Sequence, residues 1–338
     1  MNLQDRIAAF EKLGKYANAI DAVELNTIAT QAMGENSWFT QESIKTSFNA
    51  LSSLLSPEKL QHWLSAYTLT DEKPKVIALV MAGNIPLVGF QDLLCILITG
   101  NHALIKLSSK DSVLIKTVTS KLIEFEPRFQ PLITVADRLK NFDAVIATGS
   151  DNSSRYFEYY FSKYPHIIRK NRTSCALLTG FENDQELLEL GKDVFTYYGL
   201  GCRNVSKLYV PREFDFVKLM KCWEPYKLVM MHHKYHNNYD YQKSILLVNR
   251  IEFMDSGFVL LWENERLLSS ISVLHYEVYD DWKSATTKID AQKDKIQCVV
   301  GNAKPANVKM GQAQFPMLWD YADQVDIIKF LQSLNSTH

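Results

Sequence analysis

Cysteine is scarce in this chain. Five are scattered over 338 residues, at positions 95, 175, 202, 222 and 298, an odd number with no CxxC pair. A disulfide framework or a structural zinc site is therefore not expected, and a reducing cytoplasm fits. Charge of one sign is lacking too: 37 Lys and Arg stand against 38 Asp and Glu, a formal net charge of -1. Phosphate neutralisation needs a basic surface, so nucleic acid is not an expected partner. No stretch approaches the ~20 uninterrupted apolar residues of a membrane span. The opening "MNLQDRIAAFEKLGKY" is charged and amphipathic and has no signal-peptide core. The sequons at Asn152, Asn171, Asn204 and Asn335 then read as chance matches. Internal repeats and low-complexity segments are absent. What is present is an ordinary globular composition, 46% hydrophobic and 22% charged. It is long enough for two or three domains of roughly 100–150 residues.

The first 70 or so residues predict helices, with apolar positions three and four apart in "DRIAAFEKLGKYANAI", "TQESIKTSFNALSSLL" and "SPEKLQHWLSAY". Ser56-Pro57-Glu58 is a helix start, with serine as cap and proline in the first turn. "DEKP" breaks the pattern at residues 71–74. The texture then alternates strand and helix. "KVIALVMAG" is a run suited to a parallel strand buried on both faces. Helix "IPLVGFQDLLCILITG", strand "HALIKLSS", helix "SVLIKTVTSKLIEF", strands "PLITVA" and "FDAVIATGS", and helix "SSRYFEYYFSKY" follow. This predicts a doubly wound α/β domain. A second α/β unit starts after about residue 172 with "SCALLTG", helix "DQELLELGKDVFTYYG", strand "SKLYVP" and helix "FDFVKLMKCWEPY". Strands "KSILLVN" and "ISVLHYEVY" come next, and the aromatic tail ends in a strand or short helix.

Four stretches can carry chemistry. In "YYGLGCRNVSKLYVP", Gly199 and Gly201 strip side-chain bulk from around Cys202, which is either a nucleophile or a small filler under a turn. In "MAGNIP", Asn84 follows a strand's carboxyl end, where ligands of parallel sheets bind. Its amide can donate to an oxyanion, or it can cap the next helix. In "ATGSDNSS", Gly149 and Ser150 open a helix and present N–H groups to an anion, although the G-x-G-x-x-G fingerprint is incomplete; a plain N-cap at Ser150 is the alternative. In "IKLSSKD", Lys106, Ser108, Ser109 and Lys110 precede any carboxylate. A dinucleotide bound there is NADPH at least as readily as NADH, and a solvated strand end is the alternative. His232 and His236 in "MMHHKYHNNYD" are four apart, but HExxH is missing and no metal site is expected. Cys95, Cys175 and Cys298 read as core filler, and Cys222 lies on an amphipathic helix.

In their order these pieces resemble the aldehyde dehydrogenase superfamily, and within it the bacterial acyl-CoA reductases of the LuxC type, which supply fatty aldehyde in luminous bacteria. "AGNIPLVGFQDLLCILITGNHALIKLSSKD" is similar to the superfamily run from the catalytic asparagine to the "KPSE" strand. "ATGS" resembles "FTGS", "GLGCRN" the nucleophile loop, and "ISVLHYEVYDDWKSA" the later strand and helix. "LWDYADQVDIIKFL" falls at the carboxyl-terminal strand. The likeness spans roughly residues 75–330 and leaves out the helical start.

The resemblance implies an aldehyde-dehydrogenase-like α/β fold. Its parts would be a helical segment (1–72), a dinucleotide-binding domain (73–172), a catalytic domain (173–300) and a carboxyl-terminal segment (301–338). It implies NADPH-dependent reduction of a fatty acyl-CoA, with Cys202 as nucleophile and Asn84 as oxyanion donor. Lys106, Ser108 and Ser109 would lie by the adenosine ribose, and Gly149 with Ser150 by the pyrophosphate. Where oxidising relatives carry the glutamate of "ELGG", this chain reads "IRKNRTS", with Arg169 nearest. Glu263 and Glu265 are candidates for the nicotinamide ribose. A homo-oligomer, and an acyltransferase or acyl-protein synthetase partner, are implied as well. Reduction of another activated acyl group such as an acyl phosphate, or cofactor-independent acyl transfer or binding, are the alternatives.

Overall fold

In the computed structural model, which describes residues 1–69 and 73–335, the chain divides into two compact units. The first comprises Met1–Asn171 and Met317–His338, the second Arg172–Pro316. The expected break at "DEKP", and with it a boundary at residue 72, lies largely outside the described residues.

The first unit opens with α1 (Leu3–Ala19), α2 (Ala22–Glu35), α3 (Gln41–Leu54) and α4 (Pro57–Leu64). Their starts follow from local chemistry. Asn2 and Thr40 form capping boxes, Asp21 caps α2, and Ser56 caps α4 with Pro57 in its first turn. Apolar positions at helical spacing, such as Phe10, Leu13 and Ala17 on α1, turn inward. After them come β1 (Val76–Val80), α5 (Phe90–Ile98), β2 (His102–Lys106), α6 (Ser112–Phe125), β3 (Ile133–Val135), β4 (Ala144–Thr148), α7 (Asp151–Phe161) and β5 (His166–Arg169). The sheet runs β3-β2-β1-β4-β5, and every pair is parallel. Chain order reverses at β1, with β2 on one side and β4 on the other. The carboxyl edge beside β1 is thus a topological switch point, the usual ligand position in such sheets.

The second unit contains β6 (Thr173–Leu177), α8 (Asp184–Phe195), β7 (Val205–Pro211), α9 (Phe216–Cys222), α10 (His233–Val248), β8 (Met254–Asp255), β9 (Leu260–Glu263), β10 (Val273–Tyr279), α11 (Trp282–Asp290) and β11 (Ile296–Val300). Its sheet, β11-β6-β7-β10-β9-β8, is parallel except for the β8–β9 pair. The tail α12 (Ile327–Ser333) belongs to the first unit, where Trp63 Nε1 and the Tyr67 hydroxyl lie 2.7 and 2.8 Å from the Tyr321 hydroxyl.

Three expectations need correction. "KSILLVN" is not a strand but the last two turns of α10, whose buried face is Tyr235, Tyr239 and Leu246. An apolar run that short has no period of its own, and the preceding residues at helical spacing decide. The superfamily's carboxyl-terminal strand is replaced by α12, which Asp326 caps and which buries Ile327, Ile328 and Leu331. The helix expected from Ile85 starts only at Phe90, and residues 81–89 are an irregular loop. Sequence reasoning also passed over α2, β5, β8, β9 and β11.

Candidate functional site

The parallel sheet of the first unit brings six expected residues to one edge. Val80 pairs with Lys106 on one side and Ala147 on the other, so the loops after β1, β2 and β4 leave the sheet together. Asn84 is on the first loop, Lys106, Ser108 and Ser109 on the second, and Gly149 and Ser150 on the third. Asn84, Lys106, Ser109 and Ser150 are exposed, and Ser108 and Gly149 are half-buried. The cap reading of Asn84 fails, because the N-cap of α5 is Gly89. At Ser150 the cap reading holds: its Oγ accepts from Ser153 N at 3.3 Å. Capping uses the side chain and leaves the first N–H groups of α7 as an anion-attracting end.

The Asn84 loop is fastened on both sides of Asn84. Asn36, which caps the end of α2, donates its Nδ2 to Gly83 O at 3.0 Å. Leu87 N donates to Asp111 Oδ2 at 2.8 Å. Gly83 is a true close approach: a Cβ there would lie 2.5 Å from Ser108 Oγ and 3.1 Å from Asp111 Cβ. Leu87 has φ +58°, a left-handed conformation costing a leucine about 1–3 kcal/mol. Asp111 is 2% exposed, and its Oδ1 is buried with no hydrogen-bond partner. Burial pushes its carboxyl up to about 8; the Leu87 N–H pulls against that rise and the Glu35 charge adds to it.

Arg169 closes β5 beside the same edge, opposite Thr148 in register. Its guanidinium is buried and ion-paired with Asp92 in the first turn of α5.

Cys202 lies in the second unit, half-buried on the turn that leads into β7. Cys95, Cys175 and Cys298 are buried at 0–2% exposure, as core filler would be. Burial pushes the Cys95 and Cys175 thiols up. The Cys222 thiol, at the end of α9, is also raised by burial. The approach to Cys202 is strained: Tyr197, Tyr198 and Gly199 have φ of +54°, +58° and +79° in succession. Asn204 clamps this turn. Its Oδ1 accepts from Gly201 N at 2.8 Å, and its Nδ2 donates to the carbonyls of Asp193, Val194 and Thr196 at 3.1, 3.2 and 2.8 Å. Carbonyls left open at the end of α8 are thereby satisfied. Ser174 Oγ donates to Cys202 O at 3.1 Å, and Arg203 Nε to Ala313 O at 2.6 Å. Asp193 in turn accepts from Gly311 N and Ala313 N at 2.6 and 2.8 Å.

The histidines make no metal cluster among the described residues. The His232 ring packs tilted against Tyr198, with centroids 4.5 Å apart, and His236 faces Asp240 at 3.4 Å. Glu263 and Glu265 are exposed at and just after the end of β9. Asp111 and Asn204 escaped sequence reasoning. The signal at Asp111 was the first carboxylate after a strand end, and at Asn204 an amide two residues from a candidate nucleophile.

The model of a family described as acyl-CoA reductase (LuxC) matches residues 15–213, more than half the chain, a span that includes Asn84, Lys106, Ser108, Ser109, Gly149, Ser150 and Cys202 but not Glu263 or Glu265. No curated protein matches. Solved structures share the fold. Aldehyde dehydrogenase 21 from Physcomitrella patens, in complex with the reaction product succinate, is 11% identical over 99% of this chain and 84% of its own, with a TM-score of 0.69. An indole-3-acetaldehyde dehydrogenase from P. syringae, in complex with NAD+ and IAA, is 14% identical over 89% and 72%, with a TM-score of 0.66. A Mycobacterium tuberculosis aldehyde dehydrogenase complexed with NAD+ is 12% identical over 85% and 71%, with a TM-score of 0.61.

Proposed function

The chain belongs to the LuxC family of acyl-CoA reductases, and from that premise we propose that it reduces a fatty acyl-CoA to the aldehyde through an acyl-cysteine at Cys202, with NADPH as reductant. The observation that carries this reading is the Cys202 turn. A half-buried thiol, between Gly201 and Arg203, sits on a strained loop fixed by a fully used amide, while three of the other cysteines are sealed in the core. Strain held by surrounding structure is a mark of functional loops.

Cys202 attacks the thioester carbonyl as the thiolate. The carbon–sulfur bond to CoA breaks, and CoA leaves as a stable thiolate that needs no strong acid. The Cys202 backbone N–H can donate to the tetrahedral oxyanion, and the family resemblance implies the same role for the Asn84 amide. With Arg169 tied to Asp92, the "IRKNRTS" stretch offers no carboxylate to activate water, so the acyl-cysteine is preserved for reduction. Reduced nicotinamide, when bound, supplies hydride. Collapse of the resulting hemithioacetal returns the Cys202 thiolate and releases aldehyde.

The residues at the sheet edge of the first unit suit a dinucleotide. Lys106 and Ser109 are exposed beside the β1–β2 ends, and α7 offers its N-terminus next to Gly149 and Ser150. The nicotinamide-dinucleotide complexes of the structural relatives support the same class of cofactor. Positive Lys106 and Lys110, and serine where a glutamate would repel a 2′-phosphate, favour NADPH over NADH by roughly tenfold.

The test is NADPH oxidation against acyl-CoAs from short to long chain, with aldehyde identified as product, and with an acyl phosphate as the competing substrate class. Aldehyde formed only from the acyl phosphate, or label transfer without NADPH oxidation, refutes the reading. Ser109→Glu should erase the NADPH preference through the apparent Michaelis constant and leave acylation of Cys202 unchanged. An unaltered cofactor ratio would reject the assignment of this strand end.

A further inference from the structure

The loop that carries Asn84 spans residues 81–89 without regular structure. An oxyanion donor works only if its amide is held in place, since a shift of about 1 Å costs on the order of 10²-fold. Met81 N continues the ladder to Lys106 O at 3.1 Å, and Gly83 O takes the Asn36 amide. Beyond Asn84, Phe90 N, at the start of α5, returns to Leu87 O at 3.0 Å. A second tie of this far side to another element is Leu87 N to Asp111 Oδ2, at the start of α6.

That contact is expensive in two ways. Leu87 sits in a left-handed conformation that glycine would adopt freely. Asp111 is a buried carboxyl in which one oxygen serves the loop and the other has no partner. A hydroxyl could accept one N–H at less desolvation cost. Such local violations collect where geometry serves function. Ser108, whose carbonyl accepts from Asp111 N at 3.2 Å, also packs directly on Gly83, so the Asp111 turn braces the loop on both sides of Asn84.

We propose that Asp111 is a positioning residue for the reaction: through Leu87 N–H it fixes the loop conformation that presents the Asn84 amide. This rests on Asn84 being the oxyanion donor, and it assigns a role to a residue outside the acyl and cofactor contacts. Asp111 touches no reacting atom and acts only through the loop.

The experiment measures CoA thiol release in a single turnover of the full chain with a long-chain acyl-CoA, in wild type and four variants: Asn84→Ala, Asp111→Ala, Asp111→Asn and the Asn84→Ala/Asp111→Ala double variant. Thermal melts confirm that each is folded. Asn84→Ala slows acylation by roughly 10²–10³-fold, and Asp111→Ala by at least about tenfold through displacement of the loop. Asp111→Asn, which keeps an oxygen for Leu87 N–H, recovers most of the rate. The double variant is no slower than Asn84→Ala, because both act on one interaction. Multiplying effects in the double variant, or a wild-type rate in Asp111→Ala, overturn the proposal while leaving Asn84 in its role. A wild-type rate in Asn84→Ala removes the oxyanion assignment itself, and a defect in Asp111→Ala would then show that Asp111 acts elsewhere. Should Asp111→Ala fail to fold, the rate of Asp111→Asn decides, and a loss equal to that of Asn84→Ala would count against the hydrogen bond.

Discussion

The Asn84 loop and the Cys202 loop solve one problem with opposite chemistry. Each carries a candidate reacting group, and each holds non-glycine residues at positive φ: Leu87 in the first, Tyr197 and Tyr198 in the second. Each is fastened by a buried polar side chain outside the reacting position. In the Cys202 loop the fastener is Asn204, neutral, with its oxygen and both hydrogens engaged. In the Asn84 loop it is Asp111, ionisable, with one oxygen engaged and one idle. A satisfied amide is rigid and indifferent to pH. A half-satisfied carboxyl holds its loop under conditions that pH can change. The proposed nucleophile therefore sits on a mount whose fastener does not titrate, and the proposed oxyanion donor on a more conditional one.

The largest expected effect tests whether the Cys202 loop deserves its place in this comparison. Cys202→Ala should abolish acyl-enzyme formation. Radiolabelled acyl-CoA without NADPH should label one cysteine in wild type and none in the variant. Label that persists in Cys202→Ala would move the chemistry to another thiol and leave the Asn204 clamp without a purpose.

Next in size is the exchange of the two fasteners' chemistry. Asn204→Ala strands the Gly201 N–H and several buried carbonyls, costing about 2–4 kcal/mol in stability, and it slows acylation by roughly 10²-fold through misplacement of the thiol. Asn204→Asp should not rescue it, because a carboxylate facing the carbonyls of Asp193, Val194 and Thr196 has no hydrogen to give. Asp111→Asn, the reverse replacement, should be tolerated. Thermal melts and single-turnover acylation measure both. Equal tolerance of the two exchanges would erase the distinction drawn between the loops.

Sequence alone reached much of this arrangement and missed its supports for a physical reason. Strands such as "KVIALVMAG" announce themselves by continuous apolar runs, and Ser56-Pro57 or Ser150 by capping chemistry, so the alternation of β1, α5 and β2 was legible. Glycines around Cys202 and a polar residue at a strand end pointed to the candidate reacting positions. Asp111 and Asn204 serve by contacts to Leu87 N and to the end of α8, which depend on how loops fold back. A lone aspartate before a helix, or an asparagine in a sequon, carries no local pattern for that. The same limit explains "KSILLVN": β-branched and leucine residues in a short run suit either structure, and the buried face set by Tyr235 and Tyr239 decides for a helix.

The smallest effect separates the loops by pH. Burial holds Asp111 up to about 8, and it holds Asp193, which braces the Ala313 end of the Cys202 loop one contact away, up to about 6. Each native carboxyl keeps a proton that the unfolded chain releases near pH ~4. Stability from that proton is complete below about pH 4 and is lost as pH rises through the folded value. For Asp193 the loss is nearly finished by pH ~7, whereas for Asp111 it continues to pH ~9. Between pH 7 and 9 the Asp111 contribution changes by about 1.4 kcal/mol, or about 3–6 °C in melting temperature for a unit of this size. Thermal melts of wild type, Asp111→Asn and Asp193→Asn across that range should show the first variant gaining on wild type as pH rises. The second should keep a constant offset, because its titration is already over. If Asp111→Asn also keeps a constant offset, the carboxyl is ionised throughout. The Asn84 loop would then be fastened by a fixed charge, no more conditional than the amide that holds Cys202.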